Sequence, residues 1–343
     1  MKALAFTQFG GPDQLALRDV PDPVAGPGEI VIRVRACALN HLDIFVREGI
    51  PALKTPLPFW TGCDIAGDVA ALGPDVHGVR VGDRVVLNPS LACGQCEFCQ
   101  QGEDCLCVRY GIIGEHVPGG LAEYVKAPAA SALPLPGHIA YEDAAAFVLT
   151  NMTAWRMVVT QGQVRLGQDV LILGVGGGVS SAAVPIAKLC GARVWVTSSS
   201  DAKLERARQL GADVGINYAK EDWAKVVRER TGRRGVDVVI ENVGAATWKQ
   251  SLRALRRGGR LVTCGATSGP IGETDIRVVF WNQLHILGST MANRREFHDV
   301  MRLFFAGRLR PIIDEVAALK DGAAAQQRLA ESQQFGKIVL RVD

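Results

Sequence analysis

The chain has 343 residues, 48% of them hydrophobic and 21% charged, which is enough for two packed domains and too evenly mixed for a fibrous or disordered protein. Lysine and arginine exceed aspartate and glutamate by three, so no charge excess points to nucleic acid or to an anionic membrane surface. No apolar run reaches the ~18 residues of a membrane span, and residues 1–8 lack an apolar signal core. With nine cysteines, this predicts a cytoplasmic protein whose thiols serve metal or thiolate chemistry rather than disulfides.

In chain order, residues 1–90 read as short strands, at 2–6, 29–35 and 83–87, punctuated by Pro21, Pro23, Pro27 and Gly28. This predicts a β-rich, barrel-like domain. Cys93, Cys96 and Cys99 follow at intervals of three, and Cys107 comes after seven intervening residues. Four thiolates on one loop can close a tetrahedral zinc site with no open position, so the loop predicts one structural zinc per chain. Cys105 competes as the fourth ligand. A helix is predicted from 142. Strands are then predicted at 170–173, 193–197, 214–217, 236–241, 260–264 and 285–288, with helices at 182–190, 201–210 and 221–230 among them. That alternation is the pattern of a doubly wound parallel α/β sheet. The last strand, 337–341, is expected to rejoin the first domain. The predicted division is a β-rich domain of residues 1–150 and 308–343 around an inserted dinucleotide-binding domain of 151–307, with the active site in the cleft between them.

The cofactor prediction centres on the turn after strand 170–173, which holds Gly174, Gly176, Gly177 and Gly178, then Val179. Strand, glycine turn, helix and strand in about thirty residues form the first unit of a dinucleotide-binding fold. Its backbone amides and helix N-terminus suit a pyrophosphate. The third glycine of G-x-G-x-x-G is replaced by Val179, and a G-x-x-G-x-x-G spacing ends on Ser180, which is small enough for close helix–strand packing. The second strand ends in Thr197-Ser198-Ser199-Ser200 rather than in the acid that bonds a ribose 2′-hydroxyl. Hydroxyls with Lys203 suit a 2′-phosphate, and the cofactor is predicted to be NADPH. Asp201 is the alternative, NAD-side reading. Asn242 follows strand 236–241 and Gly265 strand 260–264, at the carboxyl ends where such sheets bind ligands.

Together these features resemble the medium-chain dehydrogenase/reductase superfamily over essentially the whole chain. The resemblance is carried by Gly62-x-Asp64-x-x-Gly67, the Cys93/Cys96/Cys99/Cys107 loop, the Gly119–Tyr124 segment and the glycine turn. It implies a GroES-like barrel domain beside a Rossmann domain, and Cys107 as the fourth zinc ligand. It also implies Ser199, Lys203 and Tyr218 around the 2′-phosphate, Asn242 and Gly265 on the nicotinamide side, and Asn40 and Thr153 near the nicotinamide ribose. Residues 38–43 resemble the quinone and enone oxidoreductases.

The zinc alcohol dehydrogenases of this superfamily carry a second, catalytic zinc, whose ligands fall at Asn40, Cys63 and Leu149, with an acid at Asp64. Only Cys63 and Asp64 keep ligand chemistry here, and Leu42 replaces the proton-relay hydroxyl. Cys37, His41 and Cys63 are the residues from which another site could be improvised. The resemblance therefore implies an NADPH-dependent oxidoreductase that passes hydride to an electron-poor C=C or a quinone without catalytic zinc. Its substrate would be a quinone, enone or other carbonyl compound, with Asn40 steadying the developing enolate oxygen. Tyr110 and His116 are candidate proton donors, and Phe45, Trp60 and Trp281 candidate pocket walls. A homodimer through the sheet edge at 284–287 is also implied. Two alternatives stand beside this reading: a zinc-dependent alcohol dehydrogenase with an unusual ligand set, and a non-catalytic NADPH-binding protein.

Overall fold

Strand Glu29–Ala38 is the spine of the first half of the molecule, because its β-branched residues Ile30, Ile32 and Val34 are buried and its backbone pairs on both sides. A computed structural model describes residues 1–342 and divides them into two units. The first comprises Met1–Leu149 and the segment from Asn293 onward; the second is Thr150–Ala292.

In the first unit a seven-stranded sheet runs in the order Ile313–Ala318, Lys337–Arg341, Glu29–Ala38, Asp64–Leu72, Arg84–Leu87 and Ala132–Pro134, with Tyr124–Pro128 also paired to Glu29–Ala38. Its core includes Leu4, Phe6, Ile32, Phe59, Ile65 and Leu340. The last strand lies antiparallel to Glu29–Ala38, with Val339 opposite Ala38 and Leu340 opposite Cys37. That register sets Lys337, the first residue of the last strand, beside the Leu39–Asn40 corner.

The second unit is a six-stranded, all-parallel sheet. Its spatial order is Val214–Asn217, Arg193–Ser198, Asp169–Ile172, Val236–Glu241, Leu255–Thr263 and His285–Gly288, or 3-2-1-4-5-6 counted along the chain. This is the doubly wound dinucleotide-binding order. Trp195, Leu171, Val239 and Leu261 lie in its core. The fold is therefore the predicted α/β combination of a GroES-like sheet domain and a parallel Rossmann domain.

The structure corrects three local expectations. The helix after the glycine turn runs Gly178–Leu189, so it starts on the turn rather than at 182. The fifth strand starts at Leu255. The second unit ends at Ala292 and not at 307. Helix Arg294–Phe305 belongs to the first unit: its capping box joins Asn293 and Glu296, Asn293 Nδ2 donates to Glu103 Oε1 at 3.2 Å, and Phe304 stacks on Phe147 at 4.3 Å. Among the described residues, no helix is long and apolar enough to cross a membrane.

Candidate active site, cofactor turn and zinc loop

The zinc loop is assembled by two short helical turns, Glu97–Gln100 and Asp104–Leu106, which fold the chain back on itself. The four sulfurs of Cys93, Cys96, Cys99 and Cys107 all lie within 4.8 Å of one another. Cys96 and Cys99 are 3.5 Å apart, and Cys93 and Cys99 4.0 Å. A tetrahedron of Zn–S bonds of about 2.3 Å has sulfur–sulfur edges of about 3.8 Å, so the donor set fits the metal. Backbone N–H groups of Cys93 and Arg109 donate to Cys107 Sγ at 3.2 and 3.3 Å. Amides of Gln95 and Cys96 pull the Cys93 thiol down to about 5, while desolvation and the neighbouring thiol of Cys96 push Cys99 up to about 12. Without a cation the loop holds its charge unevenly; a divalent ion would ionise all four. Cys105 is buried and donates to Glu103 at 3.7 Å, apart from the cluster.

In the cofactor unit, Gly174 and Gly176 have φ of +61° and +137°, values that side chains resist, and Gly177 caps the helix that begins at Gly178 and Val179. A twelve-residue helix thus points its free amides out of the turn. Lys203 lies across it: a Cβ on Gly176 would meet Lys203 Cδ at 3.0 Å and Nζ at 3.4 Å. Ser200 caps the helix that carries Lys203. Ser199 and Tyr218 are exposed, each one residue past the end of one of two paired strands, and the Tyr218 N–H donates to the Ser198 carbonyl at 3.0 Å. Asp201 is already engaged, accepting from Asn217 Nδ2 at 2.7 Å and from Lys220 Nζ at 2.6 Å, which holds its carboxyl below the usual range. Asn242 Nδ2 donates to Ser180 Oγ at 2.9 Å, and Gly265 follows the neighbouring strand. Thr153 is buried within the same unit, with Oγ1 3.9 Å from Met291 Sδ.

The catalytic-domain side is a closed polar network. Asn40 caps helix His41–Glu48, its N–H donating to Asp43 Oδ2 at 2.7 Å, and Asp43 Oδ1 accepts from Gly62 at 2.8 Å. The Asn40 Nδ2 donates to Asp64 Oδ2 at 2.9 Å and to Cys63 Sγ at 3.3 Å. Lys337 Nζ donates to Asn40 Oδ1 at 2.6 Å, to Asp64 Oδ2 at 2.8 Å and to the Leu39 carbonyl at 2.7 Å. Asp64 Oδ1 takes the Leu149 N–H at 2.7 Å. Burial pushes the Cys63 and Cys37 thiols well up, and burial with the Lys337 charge pulls His41 down.

This network corrects the expected role of Asn40 as a donor to substrate: both amide protons point inward, to Asp64 and Cys63. Cys37, His41 and Cys63 do not converge. Among the described residues, the four-cysteine loop is the only cluster of three or more His, Cys, Asp or Glu donors. Tyr110 and His116 are occupied within their loop, Tyr110 with Ser90 Oγ at 2.8 Å and His116 Nδ1 with the Ile112 N–H at 3.2 Å. Phe45 sits exposed on His41, Trp60 packs against the small cluster around Ala3 and Ala122, and Trp281 lies on an exposed helix of the other unit. Lys337 was missed. Its only sequence signal is a buried-strand pattern, Ile338 to Leu340, opened by one cation and closed by another, Arg341.

Comparison with known proteins agrees with the fold. Residues 26–137 match the alcohol dehydrogenase GroES-like domain family, and residues 178–306 the zinc-binding dehydrogenase family. An alcohol dehydrogenase of Geobacillus stearothermophilus is 33% identical over 346 residues, covering 100% of both chains. A quinone oxidoreductase of Lama guanicoe is 29% identical over 99% of this chain and 97% of its own. A solved structure of an NAD-dependent alcohol dehydrogenase superposes with a TM-score of 0.95 at 46% identity, covering 100% of each chain.

Proposed function

The chain belongs to the medium-chain dehydrogenase/reductase superfamily of oxidoreductases, and from that premise we propose that it is an NADPH-dependent reductase of quinones or electron-poor C=C bonds that uses no catalytic zinc. The observation that carries this reading is the Lys337 ammonium. It is bonded to Asn40 and Asp64, two of the positions that hold the metal environment in zinc alcohol dehydrogenases. A divalent ion there would meet an ammonium, the Asp64 carboxylate already bonded to it, an amide, a thiol and the apolar Leu149, which leaves only the thiol and the carboxylate as ligands. That donor set does not fit an open zinc site, which needs three protein ligands.

When bound, NADPH supplies the hydride at its nicotinamide ring. The chain's own part is to hold and orient it. Amides of the Gly174–Gly178 turn and the helix that starts there receive the pyrophosphate. Lys203, Ser199 and Tyr218 receive the 2′-phosphate, while Asp201 is held by Asn217 and Lys220 rather than offered to a 2′-hydroxyl. Asn242, Gly265 and Thr153 line the nicotinamide side. Nine cysteines, none of them in a disulfide, suit the reducing cytoplasm.

Two further assignments go with this reading. The zinc of the four-cysteine loop is structural, since all four positions of a tetrahedron are filled by protein. The chain forms a homodimer: strand His285–Gly288 pairs on one side only, Ile286 on it is 39% exposed, and Phe280 and Trp281 on the preceding helix are 62% and 70% exposed.

Alcohol oxidation is the second reading, favoured by the alcohol dehydrogenases among the relatives. The deciding experiment pairs zinc analysis of desalted protein with turnover of NADPH against quinones and enones and of NADP⁺ or NAD⁺ against alcohols. One zinc per chain with quinone or enone turnover is expected. Two zincs per chain with alcohol turnover overturns the proposal. Cofactor binding without any turnover would leave only the binding-protein reading.

A further inference from the structure

We propose that the four-cysteine loop is a metal-dependent clasp on the point where the chain returns to the first unit. With the loop closed on zinc, Glu103 and Asp104 hold the start of helix Arg294–Phe305; with the metal gone, that start comes undone. This rests on the structural-zinc reading above. Both acids lie between the third and fourth ligands, and their backbone is pinned to both. The Gly102 N–H donates to the Cys99 carbonyl at 3.1 Å, and the Cys107 N–H to the Asp104 carbonyl at 3.1 Å. Their side chains reach partners 190 residues away. Glu103 Oε1 accepts from Asn293 Nδ2 at 3.2 Å, and Asp104 Oδ1 accepts from the Arg294 N–H at 2.8 Å.

Asn293 is the first residue of the returning segment. Its amide is spent at both ends, because Oδ1 accepts from the Glu296 N–H at 2.9 Å while Nδ2 goes to Glu103. A helix leaves its first N–H groups without partners of its own. The loop supplies one such partner directly, at Arg294, and fixes the side chain that supplies another, at Glu296. The Asp104 carboxylate also meets the positive end of the helix. At its far end the helix stacks Phe304 on Phe147, two residues before the first unit ends at Leu149. The loop is thus tied to the return of the chain directly and to its departure through the helix. Four thiolates within 4.8 Å of one another repel unless a cation lies among them, so metal loss opens the loop and withdraws both acids. Linkage makes the effect mutual: what the metal adds to the clasp, the clasp adds to metal retention.

The test is hydrogen exchange by mass spectrometry on the full chain, with zinc per chain counted first. Wild type is compared before and after treatment with a chelator. Amides of residues 294–297 are expected to exchange about tenfold or more faster once zinc is removed, while those of helix Gly178–Leu189 keep their rate. Asp104→Ala should exchange fast at 294–297 even with zinc bound. Asn293→Ala, outside the loop, should surrender zinc to a chelating dye several-fold faster than wild type. Exchange at 294–297 that ignores zinc removal, exchange that rises equally throughout the chain, or zinc release unchanged in Asn293→Ala would each overturn the clasp and leave the structural zinc standing. A wild type that holds no zinc would overturn the structural-zinc reading itself, and the clasp with it.

Discussion

Asn242 and Ser180 meet at 2.9 Å, and the Ser180 hydroxyl in turn donates to the Leu173 carbonyl at 2.7 Å. The residue that ends the G-x-x-G-x-x-G spacing is therefore a fully buried link between the first strand of the parallel sheet, helix Gly178–Leu189 and the loop after strand Val236–Glu241. Ser180→Ala strands a half-buried amide and a buried carbonyl, and is expected to cost about 1–3 kcal/mol. Urea denaturation would read this as a lower midpoint with unchanged slope. Ser180→Gly, which restores a glycine at the fingerprint position, should lose as much, because it removes the same two bonds.

Cys107 and Cys105 give opposite expectations. Cys107→Ser removes one of the four converging sulfurs, and elemental analysis should find well under one zinc per chain with a lowered thermal midpoint. Cys105→Ser, whose thiol faces Glu103, should keep its zinc. Because the ligating thiols must lose their protons, zinc release should become easier as pH falls.

Lys203→Ala tests the cofactor assignment. A charge-assisted bond to a phosphate is worth about 1.5–3 kcal/mol, so the KM for NADPH should rise about 10- to 100-fold while that for NADH moves little. Equal changes for both cofactors would return the 2′ position to the Asp201 reading.

His41 makes a pH prediction. Burial first, and the Lys337 charge second, lower its folded pKa below the ordinary histidine value of 6.5. Between the two values the unfolded chain takes up a proton that the folded chain resists. Stability is therefore whole above about pH 6.5 and declines as pH falls below it, until the folded pKa is reached. Denaturant midpoints from about pH 8 to about pH 5 should fall less steeply for His41→Gln than for wild type. The difference isolates His41 from the other five histidines.

The dimer prediction is placed on the free strand edge. Ile286→Lys puts a charge on strand His285–Gly288, which natural edges use to block pairing. It should shift sedimentation from dimer to monomer without changing zinc content. A wild type that already sediments as a monomer would remove the dimer from the proposal.

By itself the sequence determined what short-range pattern can carry. Cysteine intervals of three, three and eight residues placed four sulfurs on one loop. Apolar runs located all six strands of the parallel sheet, since its inner parallel strands must be apolar on both faces and the edge strand 285–288 keeps Ile286 and Leu287. Tertiary structure decided the rest, because it depends on which distant segments share a sheet. Lys337 is 297 residues from Asn40 and 273 from Asp64, and only the antiparallel register of the last strand against Glu29–Ala38 brings them together. The same packing turned the Asn40 amide inward, kept Cys37, His41 and Cys63 from converging, and moved the boundary of the second unit to Ala292. A buried polar group must find its partner wherever the fold puts one, and no periodicity in the chain records where that is.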